Sequence, residues 1–204
     1  MKIPDNFLYY LSLHENCNER LLARAGNLTP EVVEVCIHPE VARIKKMVYA
    51  VLGETHRMKA FVRLQPLGAR VLYGFFKPRH RIGEHVCDTL ARRNAGIIVV
   101  LGNGSDSWIS LCREGRIWRN HSGGMAIALE KLKTAMHCSE DGPSEDRSSV
   151  EGLWQVYYDS QYCPERKNPA AFHRHMPRRD QDSAGLRLVQ NKRNATLEDF
   201  LSEG

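Results

Sequence analysis

Apolar residues recur along the first half of the chain at helical spacing, and then the period changes. Between residues 7 and 24, Leu and Tyr fall at roughly helical intervals. Thr29 followed by Pro30 has the form of a helix start, with Thr29 as N-cap and Pro30 in the first position. Pro39 and Glu40 open a stronger helix, expected to run to about His56. Its apolar stripe is Val41, Ile44, Met47, Val48, Val51 and Leu52, and Arg43, Lys45 and Lys46 lie on the other face. Residues 59–65 and 70–76 then read as two strands around the turn Pro66-Leu67-Gly68. A helix follows over residues 81–93, with Ile82, Val86 and Leu90 inward. Two more strands, 97–101 and 108–112, are joined by Gly102-Asn103-Gly104-Ser105. Residues 125–136 and 150–162 read as further helices.

The resulting order, β-β-α-β-β with helices before and after, predicts an α+β fold with a small, mostly antiparallel sheet. We expect a single domain over residues 1–180, with an acidic, turn-rich linker at about 139–149 inside it and a flexible tail over 181–204. At 204 residues and 42% hydrophobic content, the chain is long and apolar enough to bury an ordinary core. Its longest apolar run, residues 95–102, suits a buried strand and is too short to span a membrane. Pro4 and Asp5 break up any signal-peptide plan at the N-terminus, so the expected location is the cytoplasm. The six cysteines are scattered, without Cys-x-x-Cys pairs or zinc-like spacing. No metal and no cofactor is expected.

The net charge of +5 is modest, but the cations cluster in three segments. The first, residues 54–63, carries His56, Arg57 and Arg63. The second is Lys77-Pro78-Arg79-His80-Arg81 at a helix start, and Arg92 and Arg93 close the same helix. In the third, residues 163–179, Arg166, Lys167, Arg174, Arg178 and Arg179 outnumber the single acid Glu165, with Asn168 beside them. Each segment alone reads as a solvated basic run, or, for His56 and Arg57, as a counter to the helix dipole. If the three converge, they form a phosphate-binding surface, because nucleic-acid affinity needs several cations on one face. The expected contacts are Arg57, Arg63, Arg79, Arg92, Arg166, Lys167, Asn168, Arg178 and Arg179. His56 and His80 are the candidates for acid–base chemistry near neutral pH, with Glu54 or Glu165 as an orienting partner.

These segments also carry a family resemblance. His56-Arg57-Met58 followed by Phe61-Val62-Arg63, then Pro78 and His80, Leu153-Trp154 with Tyr158, and Glu165-Arg166-Lys167-Asn168-Pro169 ahead of Met176-Pro177 and Arg179, occur in order over most of the chain. In this the chain resembles a prokaryotic family of unknown function linked to DNA metabolism and DNA repair. Some members are fused to a uracil-DNA glycosylase domain, and some occur beside a radical S-adenosylmethionine protein. The resemblance implies a DNA-related role, with a glycosylase or a radical S-adenosylmethionine protein as an expected partner. It departs from the family where Asp180-Gln181-Asp182 follows Arg179 in place of aromatic residues.

The C-terminal tail resembles a sliding-clamp-binding motif: Leu197, Phe200 and Leu201 hold the aliphatic and paired bulky positions, with Asn194 where the motif has Gln. One helical turn puts Leu197 and Phe200 on one face, suited to a partner's pocket. The competing reading docks them on the chain's own core. The expected function is therefore a repair-associated DNA-binding protein recruited to the clamp. Two alternatives stand beside it: a glycosylase-like enzyme acting on damaged bases, or an adaptor without catalysis.

Overall fold

The computed structural model describes residues 2–135 and 169–185. Three short helices come first: α1 (Phe7–Ser12), α2 (Glu19–Ala25) and α3 (Pro30–Val35). The sequence suggested one periodic stretch over residues 7–24, and the structure divides it. Asn18 ends the intervening turn by accepting from the Leu21 N–H at 2.8 Å, which caps α2. Thr29 and Pro30 start α3 as their chemistry predicts, the Thr29 side chain accepting from Val32 N–H.

The long helix α4 (Pro39–Phe61) organises the molecule. It outruns its expected end at His56 by more than a turn. Val51, Glu54, Thr55 and Met58 are all buried on one face, so the helical period persists through residues that read as the start of a strand. The expected strand over 59–65 is accordingly reduced to β1 (Gln65–Pro66). Next come β2 (Val71–Phe75), α5 (Gly83–Arg93), β3 (Ile98–Gly102), β4 (Ser107–Arg113), β5 (Arg116–Ser122) and α6 (Met125–Ala135). Two short helices, α7 (Pro169–His175) and α8 (Arg178–Ser183), complete the described residues.

The fold is α+β, with a sheet in the order β1-β2-β3-β4-β5. Only β2 and β3 run parallel, because α5 carries the chain across between them; the other pairs are antiparallel. The sequence reading missed β5. This edge strand is largely exposed and mostly polar, with Ile117 and Trp118 its only apolar residues.

Helices cover both faces of β3. Val99 and Leu101 join Met58, Phe76, Val86 and Leu90 under α4 and α5, while Val100 packs with Val71 and Ala128 under α6. The first half of α4 packs its Ile44, Met47 and Val48 against Phe7, Leu11 and Val33 of the N-terminal helices. Fully buried side chains such as Phe76 each contribute about 1.5–3 kcal/mol. Two features, one polar and one a close packing contact, pin α5 to the sheet. Buried Asp88 accepts from Ser110 Oγ at 2.8 Å and from Arg119 Nε and a terminal nitrogen at 2.8 and 2.6 Å. At the start of α5, Gly83 lets the Trp108 indole approach so closely that a Cβ there would sit 2.1 Å from the ring. Among the described residues, no helix is long and apolar enough to cross a membrane.

Candidate functional site

A buried polar cluster forms where the second half of α4 meets the 76–82 loop, the turn after α1, and α8. Its base is Glu54, on the stripe of α4 that otherwise holds Val51 and Met58. A carboxylate at such a position needs donors. The loop supplies them: Arg79 N–H donates to Glu54 Oε1 at 2.8 Å and His80 N–H to Oε2 at 3.1 Å. Burial pushes the Glu54 carboxyl above its usual range, while the two N–H groups pull it back.

The His80 side chain is fully enclosed. Its Nδ1 faces the Glu15 N–H at 3.4 Å, and its Nε2 faces the Arg79 guanidinium at 2.9 Å. Protonating Nδ1 would cost the bond it accepts from Glu15, and a second positive charge would face the Arg79 guanidinium. Burial, then the neighbouring His14, Arg79 and Arg179, push the His80 pKa down to about 4. At neutral pH the ring is uncharged, so its 3.8 Å approach to Glu54 is a polar contact and not an ion pair. His14 lies against it, with ring centroids 4.4 Å apart, and burial lowers its pKa too.

One turn along α4 from Glu54, Arg57 meets the buried carboxylate of Asp180 at 2.5 Å, its guanidinium lying over Gly53. Arg179 reaches the other oxygen of Asp180 at 3.7 Å. Asp180 stands in the first turn of α8, and the same helix accepts the Lys77 N–H at its Ser183 carbonyl, 2.9 Å away. The ion pair and this backbone bond clamp α8 across α4 and the loop. Arg79 closes the cluster toward solvent by pairing with Glu15 at 3.2 Å.

The structure therefore brings together residues from each of the three basic segments: Arg57 from the first, Arg79 and His80 from the second, Arg179 from the third. Much of their charge is matched internally, by Asp180 and Glu15. Four expected residues lie elsewhere. His56 is exposed, outside the buried stripe of α4 that carries Glu54 and Thr55. Arg63 is exposed after α4 and donates to the Ala60 carbonyl at 2.9 Å. Arg92 closes α5 beside Arg93. Arg178 is exposed at the start of α8. Glu165, Arg166, Lys167 and Asn168, the expected linker at 139–149, and Leu197, Phe200 and Leu201 lie outside the described residues. For catalysis, His80 presents no surface to a substrate in this arrangement, and His56 makes no contact with it.

Sequence reasoning did not single out His14, Glu15 or Asp180. Glu54, expected as an orienting partner for a histidine, lies beside His80, and its position on an apolar helical stripe was a readable signal. Asp180 had none, since its partner Arg57 is remote in the chain. Among the described residues, no group of three or more His, Cys, Asp or Glu side chains is placed to hold a metal ion.

Residues 14–182 match a family model described as a domain of unknown function, DUF4130. No curated protein and no solved structure matches the chain. The family match spans most of the sequence, from His14 of the buried cluster to just past Asp180, and the chain belongs to this family.

Proposed function

We propose that this chain is a DNA-binding protein of DNA repair, acting in the cytoplasm and recruited to the sliding clamp through Leu197, Phe200 and Leu201. One observation carries the DNA reading: cations from separate stretches of chain surround the same neutral histidine pair. Arg43 and Arg79 lower the pKa of His14, and Arg79 and Arg179 lower that of His80. Arg81, exposed in the same loop, donates to the Cys17 carbonyl at 3.3 Å. Because both imidazoles are buried and uncharged, the electrostatic character of the rim comes from arginines. These carry a fixed charge and a fork of donors suited to phosphate oxygens. The order of the family-like segments in the sequence supports repair as the setting. The same resemblance makes a uracil-DNA glycosylase or a radical S-adenosylmethionine protein the expected partner.

The test uses fluorescence anisotropy with labelled duplex DNA. Replacing Arg79, Arg81 and Arg179 together by Gln is expected to weaken binding by a similar factor on unrelated sequences, as loss of backbone contacts does. Equal affinity for the variant and the wild type contradicts the reading. For the tail, Leu197→Ala with Phe200→Ala is expected to abolish binding to the purified clamp while leaving DNA affinity unchanged. Retained clamp binding would place those side chains elsewhere.

A further inference from the structure

A second cluster of titratable groups sits beside the first and is differently built. Lys59, in the last turn of α4, places Nζ 3.0 Å from Nε2 of His85 in the first turns of α5. The rings of Tyr9 and Tyr10 from α1 lie 6.1 and 6.0 Å from the His85 ring. Arg93 donates to the Lys59 carbonyl at 3.1 Å, which fixes the end of α5 against the end of α4. The charges that act on the pair are mostly positive: Arg93 on Lys59, and Arg92 and Lys59 on His85, with only Asp88 opposing.

What sets Lys59 apart is its partner. Elsewhere in this part of the molecule cations meet carboxylates: half-buried Arg57 meets Asp180, and the more exposed Arg79 and Arg119 meet Glu15 and Asp88. Lys59 makes no ion pair among the described residues and faces an imidazole instead. No carboxylate among the described residues neutralises an ammonium there, and the partial burial and the nearby arginine disfavour it. The Lys59 pKa is lowered, first by burial and then by Arg93. A lysine that is partly desolvated and set beside other cations is the form in which an amine acts as a nucleophile toward a carbonyl. Arg92 and Arg93 flank it with groups that bind phosphate.

We propose that Lys59 forms a Schiff base with the C1′ aldehyde of an abasic deoxyribose in DNA, with His85 as its proton partner; this rests on the DNA-binding reading above. The amine lone pair attacks C1′, a C–N bond forms, and the carbonyl oxygen takes up a proton. The carbinolamine then loses water to give the imine. In that state the C2′ proton is acidic, and its transfer to His85 Nε2 drives departure of the 3′-phosphate with the electron pair of its C–O bond. Water hydrolyses the imine and returns the free amine. Tyr9 and Tyr10 are placed to cover the sugar as it enters from the α1 side.

The test is reductive trapping. Full-length protein is incubated with a duplex containing one abasic site, in the presence of borohydride, and covalent adducts are resolved on a denaturing gel. Wild type is expected to give an adduct that maps by mass spectrometry to Lys59. Lys59→Ala and Lys59→Arg are expected to lose it, with wild-type thermal melting of both variants, and the charge kept by the arginine variant, guarding against misfolding. An undiminished adduct from Lys59→Ala overturns the proposal, as does a wild type that binds abasic duplex without being trapped; in the latter case the DNA reading survives. Absence of binding to any duplex would remove both. An adduct at Lys59 with glyceraldehyde 3-phosphate and none with abasic DNA overturns the assignment of the aldehyde to DNA.

Discussion

The two polar clusters that flank α1 and the second half of α4 use similar side chains to different ends. Around Glu54, His80 and Asp180, arginines are matched with carboxylates, histidines are sealed, and backbone N–H groups are satisfied. Around Lys59 and His85 the amine meets a ring nitrogen, and no carboxylate neutralises it among the described residues. The first arrangement fits a clamp that joins α8, the loop and α4, with its outer arginines left at the surface. The second leaves a base poised near solvent. A histidine with a perturbed pKa is thus a sign of function only after its exposure is known: His80 is perturbed because it is enclosed, and His85 remains half-buried.

The largest effect that distinguishes the clusters is expected at Asp180. Asp180→Ala leaves Arg57 half-buried without its partner and releases α8, at a cost of about 3 kcal/mol in urea unfolding. A loss below about 0.5 kcal/mol would mean that the pair adds nothing to the clamp.

The pH dependence of the clamp is the next test. His80 has a folded pKa of about 4, below its ordinary 6.5, so the unfolded chain binds the proton more readily. Its contribution is full above pH 6.5 and is lost as the pH falls toward 4. Across that window it amounts to about 3 kcal/mol at most. His80→Gln is expected to be less stable at neutral pH, with a flatter pH profile between those limits. An unchanged slope in pH-dependent melting would show that the ring is not sealed.

The smallest stability effect is expected in the open cluster. Arg92→Ala removes an exposed side chain and is expected to change stability by less than about 0.5 kcal/mol. It should still weaken duplex binding. A large loss of stability there would erase the distinction between the two regions.

Much of the fold was readable where local chemistry sets it. Thr29-Pro30 and Pro39-Glu40 start helices by capping, and the apolar run near Val99 and Val100 makes a strand that is covered on both faces. Two errors share a cause. Residues 59–61 have β-like alternation, yet Met58 keeps the helical face of Val51 buried, so packing carried α4 onward to Phe61. The edge strand β5 is held by its pairing with β4, and its own side chains give little sign of it. The site was readable one segment at a time. Arg57, Arg79, His80 and Arg179 stood out as basic runs, but their carboxylate partners did not. Asp180 and Glu15 become meaningful only when remote segments meet, and the Lys59–His85 contact depends on how the ends of α4 and α5 are set against each other.

The DNA reading is tested most directly by a salt titration of duplex binding, comparing wild type with the protein carrying Arg79→Gln, Arg81→Gln and Arg179→Gln. The logarithm of the wild-type binding constant should fall linearly with the logarithm of salt concentration, and the variant's slope should be shallower by about 2–3. Parallel lines for the two proteins, or no wild-type binding even at low salt, would contradict it.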